Sequence, residues 1–400
     1  MPPVPEKHLP DEVREGGLCL CLSGGGFRAT LFHLGVLRRL NELGLIEKLA
    51  TVTSVSGGSF MSLCFAKALI ESPLTDGRMS NFDTMVNDVH RLTNYDLRGR
   101  VFIEKIEPQH WRQQFAELVV KELESHVTMK TLADLPVTPR FIFCATDMAF
   151  GVNWTYTNDS AGDYEAGYKR SGLDSITLAH AASASACFPP VFKPLPTGVP
   201  ASELLDGDAT GAQADECREA IHLTDGGVYD NMGLEPVWKS ANTLLVSDAG
   251  GVFGYDSSNS TLSDVERYSD ILGNQTRALR KRWLISSFAT GTGPDRPGLE
   301  GTYWATSGVR TSYDPEDAMG YSEATAKIIS NIRTDLDKFT VAEQCILENH
   351  GYLMCDVAIK VYLPSLYSGA SAMKVPYPEW MDEEKVKEAL KDSAKQHLLK

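Results

Sequence analysis

The spacing of apolar and polar residues changes period again and again along the chain. Short unbroken apolar or β-branched runs alternate with longer stretches of helical periodicity. Leu18-Cys19-Leu20-Cys21-Leu22 is the first short run, and its continuity predicts a strand buried on both faces of a parallel sheet. Leu31, Leu34, Leu37 and Leu40 then form one apolar stripe, which predicts a helix ended at Gly44 by a left-handed cap. Thr51 to Val55 predicts a second strand, and Phe60 to Ala66 the helix after it. Further strands are expected at Arg140–Asp147, Phe150–Thr157, Ile221–Leu223, Thr243–Asp248 and Cys355–Leu363. Helices are expected at Asp174–Cys187, Asp264–Phe288, Glu323–Phe339, Val341–Asn349 and Asp382–Leu399, with a loop over 195–220. Strands alternating with helices over the whole length predict an α/β fold with a mainly parallel sheet.

Residues 71–136 depart from this alternation. They are charged and helical in pattern, as at Trp111 to Val120, and read either as a helical insertion or lid over a site or as an ordinary outer helical layer. Residues 1–16 are Pro-rich and charged and read as a loose arm. With 400 residues, 42% of them apolar, the chain can bury a large core. Its net charge of −15 argues against nucleic acid as a partner, because phosphate binding runs on an excess of Lys and Arg. No apolar stretch reaches the roughly 18 residues of a membrane span, and the N-terminus lacks a signal-peptide core. The expectation is a cytoplasmic protein with room for peripheral contact with a membrane. The eight cysteines form no Cys-x-x-Cys pair and lie mostly in apolar runs, so buried thiols are expected rather than a zinc site. The basic middle of Asp264–Phe288, with Arg277, Arg280, Lys281 and Arg282, reads as a solvated face ahead of a headgroup-binding patch.

The chemistry concentrates at turns. Ser56 stands between the Thr51–Val55 strand and a helix, in Ser54-Val55-Ser56-Gly57-Gly58, which is the context of a nucleophile elbow with Ser54 in place of the usual first glycine. Ser23-Gly24-Gly25-Gly26-Phe27-Arg28 makes the preceding strand-to-helix turn. Consecutive glycines there let backbone N–H groups converge at a helix N-terminus, to cradle a phosphate or hold the oxyanion of an acyl transfer. Neither the P-loop nor the dinucleotide fingerprint is present. Gly26 and Ser56 are 30 residues apart, one strand–helix–strand unit, so both turns should sit side by side at one sheet edge.

A serine hydroxyl needs a base. Asp225 follows a strand, with Gly226 and Gly227 letting the backbone turn behind it. Asp206 and Asp208 are rivals in a polar stretch, and His350 is the one late histidine that would complete a Ser-Asp-His order. A carboxylate serving alone as base should be partly desolvated to raise its pKa.

Taken in order, Ser23 to Arg28, Ser54 to Gly58 and Asp225-Gly226-Gly227 resemble the patatin-like phospholipases, and so does Ala182 to Phe192. The resemblance covers roughly residues 18–250. It implies a three-layer α/β/α sandwich, a Ser56–Asp225 dyad without histidine, and an oxyanion hole of backbone N–H groups around Gly24, Gly25 and Gly26. Arg28 would stiffen the glycine loop, with Gly57, Gly58, Gly226 and Gly227 in support. Ser54 and Ala29 stand where the family has glycines. The implied organisation is an arm at 1–16, a catalytic domain at 17–260 and an extension at 261–400 packed on it. The implied substrate is a lipid acyl ester, with small esters, acyl transfer to an alcohol, or nucleotide binding at the glycine loop as alternatives. No metal and no cofactor is implied.

Overall fold

In the computed structural model, which describes residues 16–106, 115–188, 193–251, 261–289, 299–317, 319–367 and 372–393, the short apolar runs become one sheet. Its strands are β1 (Leu18–Leu22), β2 (Leu49–Val55), β3 (Arg140–Asp147), β4 (Asn153–Tyr156), β5 (Ala161–Asp163), β6 (Gly167–Lys169), β7 (Leu195–Pro196), β8 (His222–Asp225), β9 (Thr243–Asp248) and β10 (Glu300–Ala305). The order is β10-β9-β1-β2-β3-β4-β5-β6, with β8 pairing both β3 and β7. From β10 to β3 every neighbouring pair is parallel. Beyond β3 the sheet turns antiparallel, because the links there are too short for a crossover helix. The sheet is therefore mixed, with its parallel half carrying the two glycine-rich turns.

The helices are α1 (Gly26–Glu42), α2 (Gly57–Glu71), α3 (Phe82–Thr93), α4 (Leu97–Ile106), α5 (Phe115–His126), α6 (Leu178–Ser185), α7 (Ala212–Glu219), α8 (Gly227–Asp230), α9 (Thr261–Ala289), α10 (Glu323–Ser330), α11 (Val341–Tyr362), α12 (Pro364–Tyr367) and α13 (Glu383–Ala389). They cover both faces of the sheet. Leu18, Leu20 and Leu22 of β1 point into a core shared with α1, α2, α6 and α11. Cys19 and Cys21 point the other way, into a second core with Leu244, Val246, Leu284 and Tyr303. This is the α/β/α layering of the sequence reading. α3, α4 and α5 fill the helical stretch between β2 and β3 and stack on the α1–α2 side, with α5 against α6.

Several elements differ from the sequence expectation. Cys355–Leu363 is the second half of α11, not a strand. Its β-branched run looks extended, but the capping box of Thr340 and Glu343 launches a helix that carries through it, buried against α1. At the crossing, a Cβ on Gly35 would stand 1.9 Å from Glu348 O and one on Gly351 1.9 Å from Phe32 O, so two glycines let the helix backbones touch. The helix expected over Glu323–Phe339 ends at Ser330, and the following residues run irregularly past the α1 N-terminus, where their carbonyls are used. The helix at Asp174–Cys187 is a 3₁₀ turn followed by α6, and the loop over 195–220 holds β7 and α7. Phe150–Thr157 pairs only over Asn153–Tyr156. Residues 1–15 of the arm and 394–399 of the last expected helix lie outside the described residues.

Candidate active site

β1 and β2 are parallel neighbours, so the turns at their C-terminal ends meet. They meet backbone to backbone. A Cβ on Gly57 would stand 2.0 Å from Gly26 O, and one on Gly58 would stand 2.3 Å from Leu22 O. Gly24 lies against the serine itself, 3.0 Å from its own would-be Cβ to Ser56 Cβ. Gly25 and Gly26 have φ of +140° and +56°, values that favour glycine. The Gly24 N–H donates to Asn231 O at 3.1 Å, while the Gly25 and Gly26 N–H groups make no hydrogen bond among the described residues. Of the three glycine amides expected to face an oxyanion, two are thus left unspent.

Ser56 is held at φ 50° and ψ −117°, directly before α2. A non-glycine residue in such a conformation stores about 1–3 kcal/mol of strain and persists only where its surroundings impose it. Ser56 N–H donates to Ser185 Oγ at 2.9 Å, and Ser56 O accepts from Ser59 N at 2.8 Å. Ser54 is accommodated without a glycine: its hydroxyl sits 3.1 Å from Ser59 Oγ, fully buried.

Asp225 ends β8, which pairs antiparallel to β3 with Asp225 opposite Ala145. Its carboxylate is buried, at 2% exposure. Oδ1 accepts from Gly227 N at 2.7 Å. Oδ2 is buried with no hydrogen-bond partner. Burial pushes the carboxyl up to about 6, against the smaller downward pulls of the Gly227 N–H and the nearby Ser56 hydroxyl. The hydroxyl is thus close enough to act on the carboxyl, with Oδ2 still short of a made hydrogen bond. Gly226 has an ordinary φ of −59°. It is required by space instead, since a Cβ there would stand 2.3 Å from Cys144 O.

Arg28 is buried beneath the glycine turn. Its guanidinium donates to Ala249 O at 2.8 Å, Ser330 O at 2.8 Å and Ile332 O at 2.7 Å. It therefore ties the turn to the loop after β9 and to the segment after α10. Beside it, His33 bridges Ser23 O and Ser247 Oγ, each at 2.9 Å, and burial drives its pKa down to about 4.

The rival residues fall elsewhere. His350 is buried in the middle of α11 with Nε2 2.8 Å from Thr306 O, packed against the rings of Phe32 and Tyr321. Asp206 and Asp208 are exposed. The basic stretch of α9 is neither a plain solvated face nor a bare cationic patch. Arg277 turns inward to buried Asp248, with Nη2–Oδ2 at 2.7 Å, and Arg280 reaches Glu235 at 2.9 Å. Sequence reasoning missed Ser185 and Asn231. Ser185 lies in the Ala182 to Phe192 stretch that shares the family resemblance, but nothing in its run of small residues marks a hydrogen-bonding role, and Asn231 carries no pattern of its own.

A strained serine, glycine amides and a buried carboxylate thus come together at the C-terminal ends of β1, β2 and β8. A family model described as patatin-like phospholipase matches residues 20–238, and the chain belongs to that family. No curated protein matches it. Among solved structures, human GIVD cytosolic phospholipase A2 is similar at 13% identity and a TM-score of 0.47, covering 97% of this chain and 63% of that one. The same human enzyme in complex with methyl γ-linolenyl fluorophosphonate is similar at 12% identity and a TM-score of 0.46, covering 95% of this chain and 60% of that one. VipD from Legionella pneumophila is similar at 13% identity and a TM-score of 0.33, covering 88% of this chain and 67% of that one. The chain thus spans about three-fifths of the length of the human structures.

Proposed function

We propose that the chain hydrolyses acyl esters of lipids through Ser56 and Asp225. The observation that carries this reading is the Asp225 carboxyl, whose Oδ2 is buried and unpartnered and which the hydroxyl of Ser56, in a strained elbow, pulls downward in pKa. A carboxyl at about 6 is ionised at neutral pH yet basic enough to take a proton in a transition state. In the mechanism, Asp225 Oδ2 takes the Ser56 proton as Oγ bonds to the ester carbonyl carbon. The oxyanion forms beside the Gly25 and Gly26 N–H groups, at the N-terminus of α1, where each such donor is worth about 2.7–4 kcal/mol. Collapse breaks the bond to the alcohol, which leaves with the proton from Asp225. Water, deprotonated by Asp225, then releases the acid from the acyl-enzyme and restores the serine.

Two surfaces support a lipid substrate. A closed apolar seam lies between α2, α5 and α6, lined by Phe60, Ala116, Val119, Ala186 and Leu336 among others, with no water-sized space inside it. Phe60 is one helical turn from Ser56, with its N–H donating to Ser56 O at 3.3 Å, so the seam begins one turn from the nucleophile, where its parting would admit an acyl chain. The second surface is the outer side of α9, which packs on α8 directly after the Asp225 turn. Leu284, Arg277 and Arg280 face inward, while Tyr268, Ile271, Leu272 and Leu279 stand exposed on the far side with Arg282. An apolar helical stripe with an aromatic residue and a flanking cation fits peripheral contact with a membrane surface.

The test is turnover of p-nitrophenyl esters of graded chain length, wild type beside Ser56→Ala, with fluorophosphonate labelling and product analysis in the presence of an alcohol acceptor. Serine-dependent hydrolysis favouring long chains is the expected result. Full turnover by Ser56→Ala sinks the reading, a short-chain optimum points to small esters, and an alcohol ester as main product points to acyl transfer.

A further inference from the structure

The two reacting side chains come from distant parts of the chain, and one residue of α6 touches both turns that carry them. Ser185 Oγ accepts from Ser56 N–H at 2.9 Å and donates to Cys144 O at 2.6 Å. The backbone carbonyl of the same residue accepts from Gly226 N at 3.2 Å, next to the base. Two residues on, Cys187 O accepts from Asp225 N at 3.1 Å and from Thr224 Oγ1 at 2.9 Å. The carbonyls at the C-terminal end of α6, which a helix leaves without internal partners, are thus spent on the Asp225 strand end. The Ser185 hydroxyl is spent on the serine elbow.

We propose that Ser185 is a positioning residue that sets the separation of the Ser56 hydroxyl and the Asp225 carboxylate, a role resting on the serine–aspartate reading above. Its hydroxyl is the clamp on the amide of a strained residue, and no other side-chain partner of the Ser56 N–H exists among the described residues. The clamp is itself braced. Ser59 Oγ sits 2.8 Å from Ser185 Oγ and 3.1 Å from Ser54 Oγ, so three buried hydroxyls form a chain beneath the elbow. Ser54 thereby extends the brace at the place where the family has glycine. Removing the Ser185 hydroxyl leaves Ser56 N–H and Cys144 O buried without it and lets the elbow relax away from Asp225.

The experiment compares Ser185→Ala, Ser185→Thr and Ser62→Ala in the full chain, on one soluble ester, reading kcat, KM and the pH profile of kcat/KM. Ser62 is a control: it lies in α2, buried, with a hydroxyl that has no partner. Ser185→Ala is expected to lose about 10- to 100-fold in kcat at unchanged KM, the size of effect that a small misplacement of reacting groups produces. Its acidic limb should also move to higher pH, because the serine hydroxyl that holds the Asp225 carboxyl down has moved away. Ser185→Thr, which keeps the hydroxyl, should recover both, and Ser62→Ala should match wild type. Wild-type kcat and profile in Ser185→Ala overturn the proposal, as does an equal loss in Ser62→Ala. If Ser185→Ala melts below the assay temperature, Ser59→Ala carries the test, a several-fold fall in kcat with the same displacement supporting the role and no change overturning it. None of these outcomes alters the Ser56→Ala test, so failure here stays separate from failure of the dyad.

Discussion

Gly57 and Gly26 lie so close that a Cβ on Gly57 would stand 2.0 Å from the Gly26 carbonyl oxygen. The nucleophile turn and the amide-bearing turn are therefore one packed object. Gly57→Ala must push them apart, since backbone is what the new methyl meets. The expected outcome is a loss of at least about 100-fold in fluorophosphonate labelling rate, with a lowered melting temperature. Near-normal labelling would mean that the spacing of the turns does not matter.

Asp225 makes activity and stability depend on pH in opposite directions. As a base it must be ionised, so kcat/KM should fall about tenfold per pH unit below about 6 and level off above it. For stability, its folded pKa of about 6 lies above the unfolded 3.8. The folded state then binds the proton more tightly, and stability is lost as pH rises from about 4 to about 6, by up to about 3 kcal/mol. Asp225→Asn should abolish turnover, remove that slope and melt higher than wild type at pH 8. Melting curves at pH 4, 6 and 8 for both proteins decide it.

Arg277→Ala should be costly. It leaves Asp248, fully buried, without its guanidinium, though Tyr303 Oη and Gly250 N still donate to it. A loss of about 2–4 kcal/mol is expected in denaturant unfolding. Arg282→Ala, exposed on the same helix, should change stability by less than about 0.5 kcal/mol.

Val119→Trp should shorten the preferred acyl chain. The side chain borders the closed apolar seam beside Phe60 and Leu336, and the larger ring would crowd the opening that an acyl chain needs there. The ratio of decanoyl to butyryl ester turnover should fall with butyryl turnover kept within about twofold. An unchanged ratio would place the acyl chain elsewhere.

His350→Gln should keep kcat within about twofold, because its ring hydrogen-bonds Thr306 O inside α11 packing and reaches neither reacting group. Loss of activity without loss of fold would restore a histidine to the mechanism.

The turns were legible because their chemistry is local. Strand, small residues and helix follow one another within a few positions at Gly24–Gly26, at Ser56 and at Asp225, and the one-unit spacing of the first two predicted their adjacency. What stayed hidden depends on distant packing. Cys355–Leu363 reads as a strand in isolation and becomes helix because the Thr340–Glu343 capping box starts α11 and Gly351 and Gly35 let it lie on α1. Arg277 reads as a surface cation and becomes an inward ion pair only because β9 ends in Asp248. The Asp225 turn was located, but its glycines turned out to answer crowding, Gly226 by the Cys144 carbonyl and Gly227 by the Asn231 and Asp225 side chains.

The hydrogen bonds of Arg28 carry a consequence for where this protein can be divided. The family match ends at residue 238, yet the arginine within it is satisfied by carbonyls at 249, 330 and 332. A fragment trimmed to the matched stretch would keep all the recognisable motifs and bury a cation with none of its acceptors. The matched part thus leans on residues that lie outside the match. Homology and foldability have different borders in this molecule.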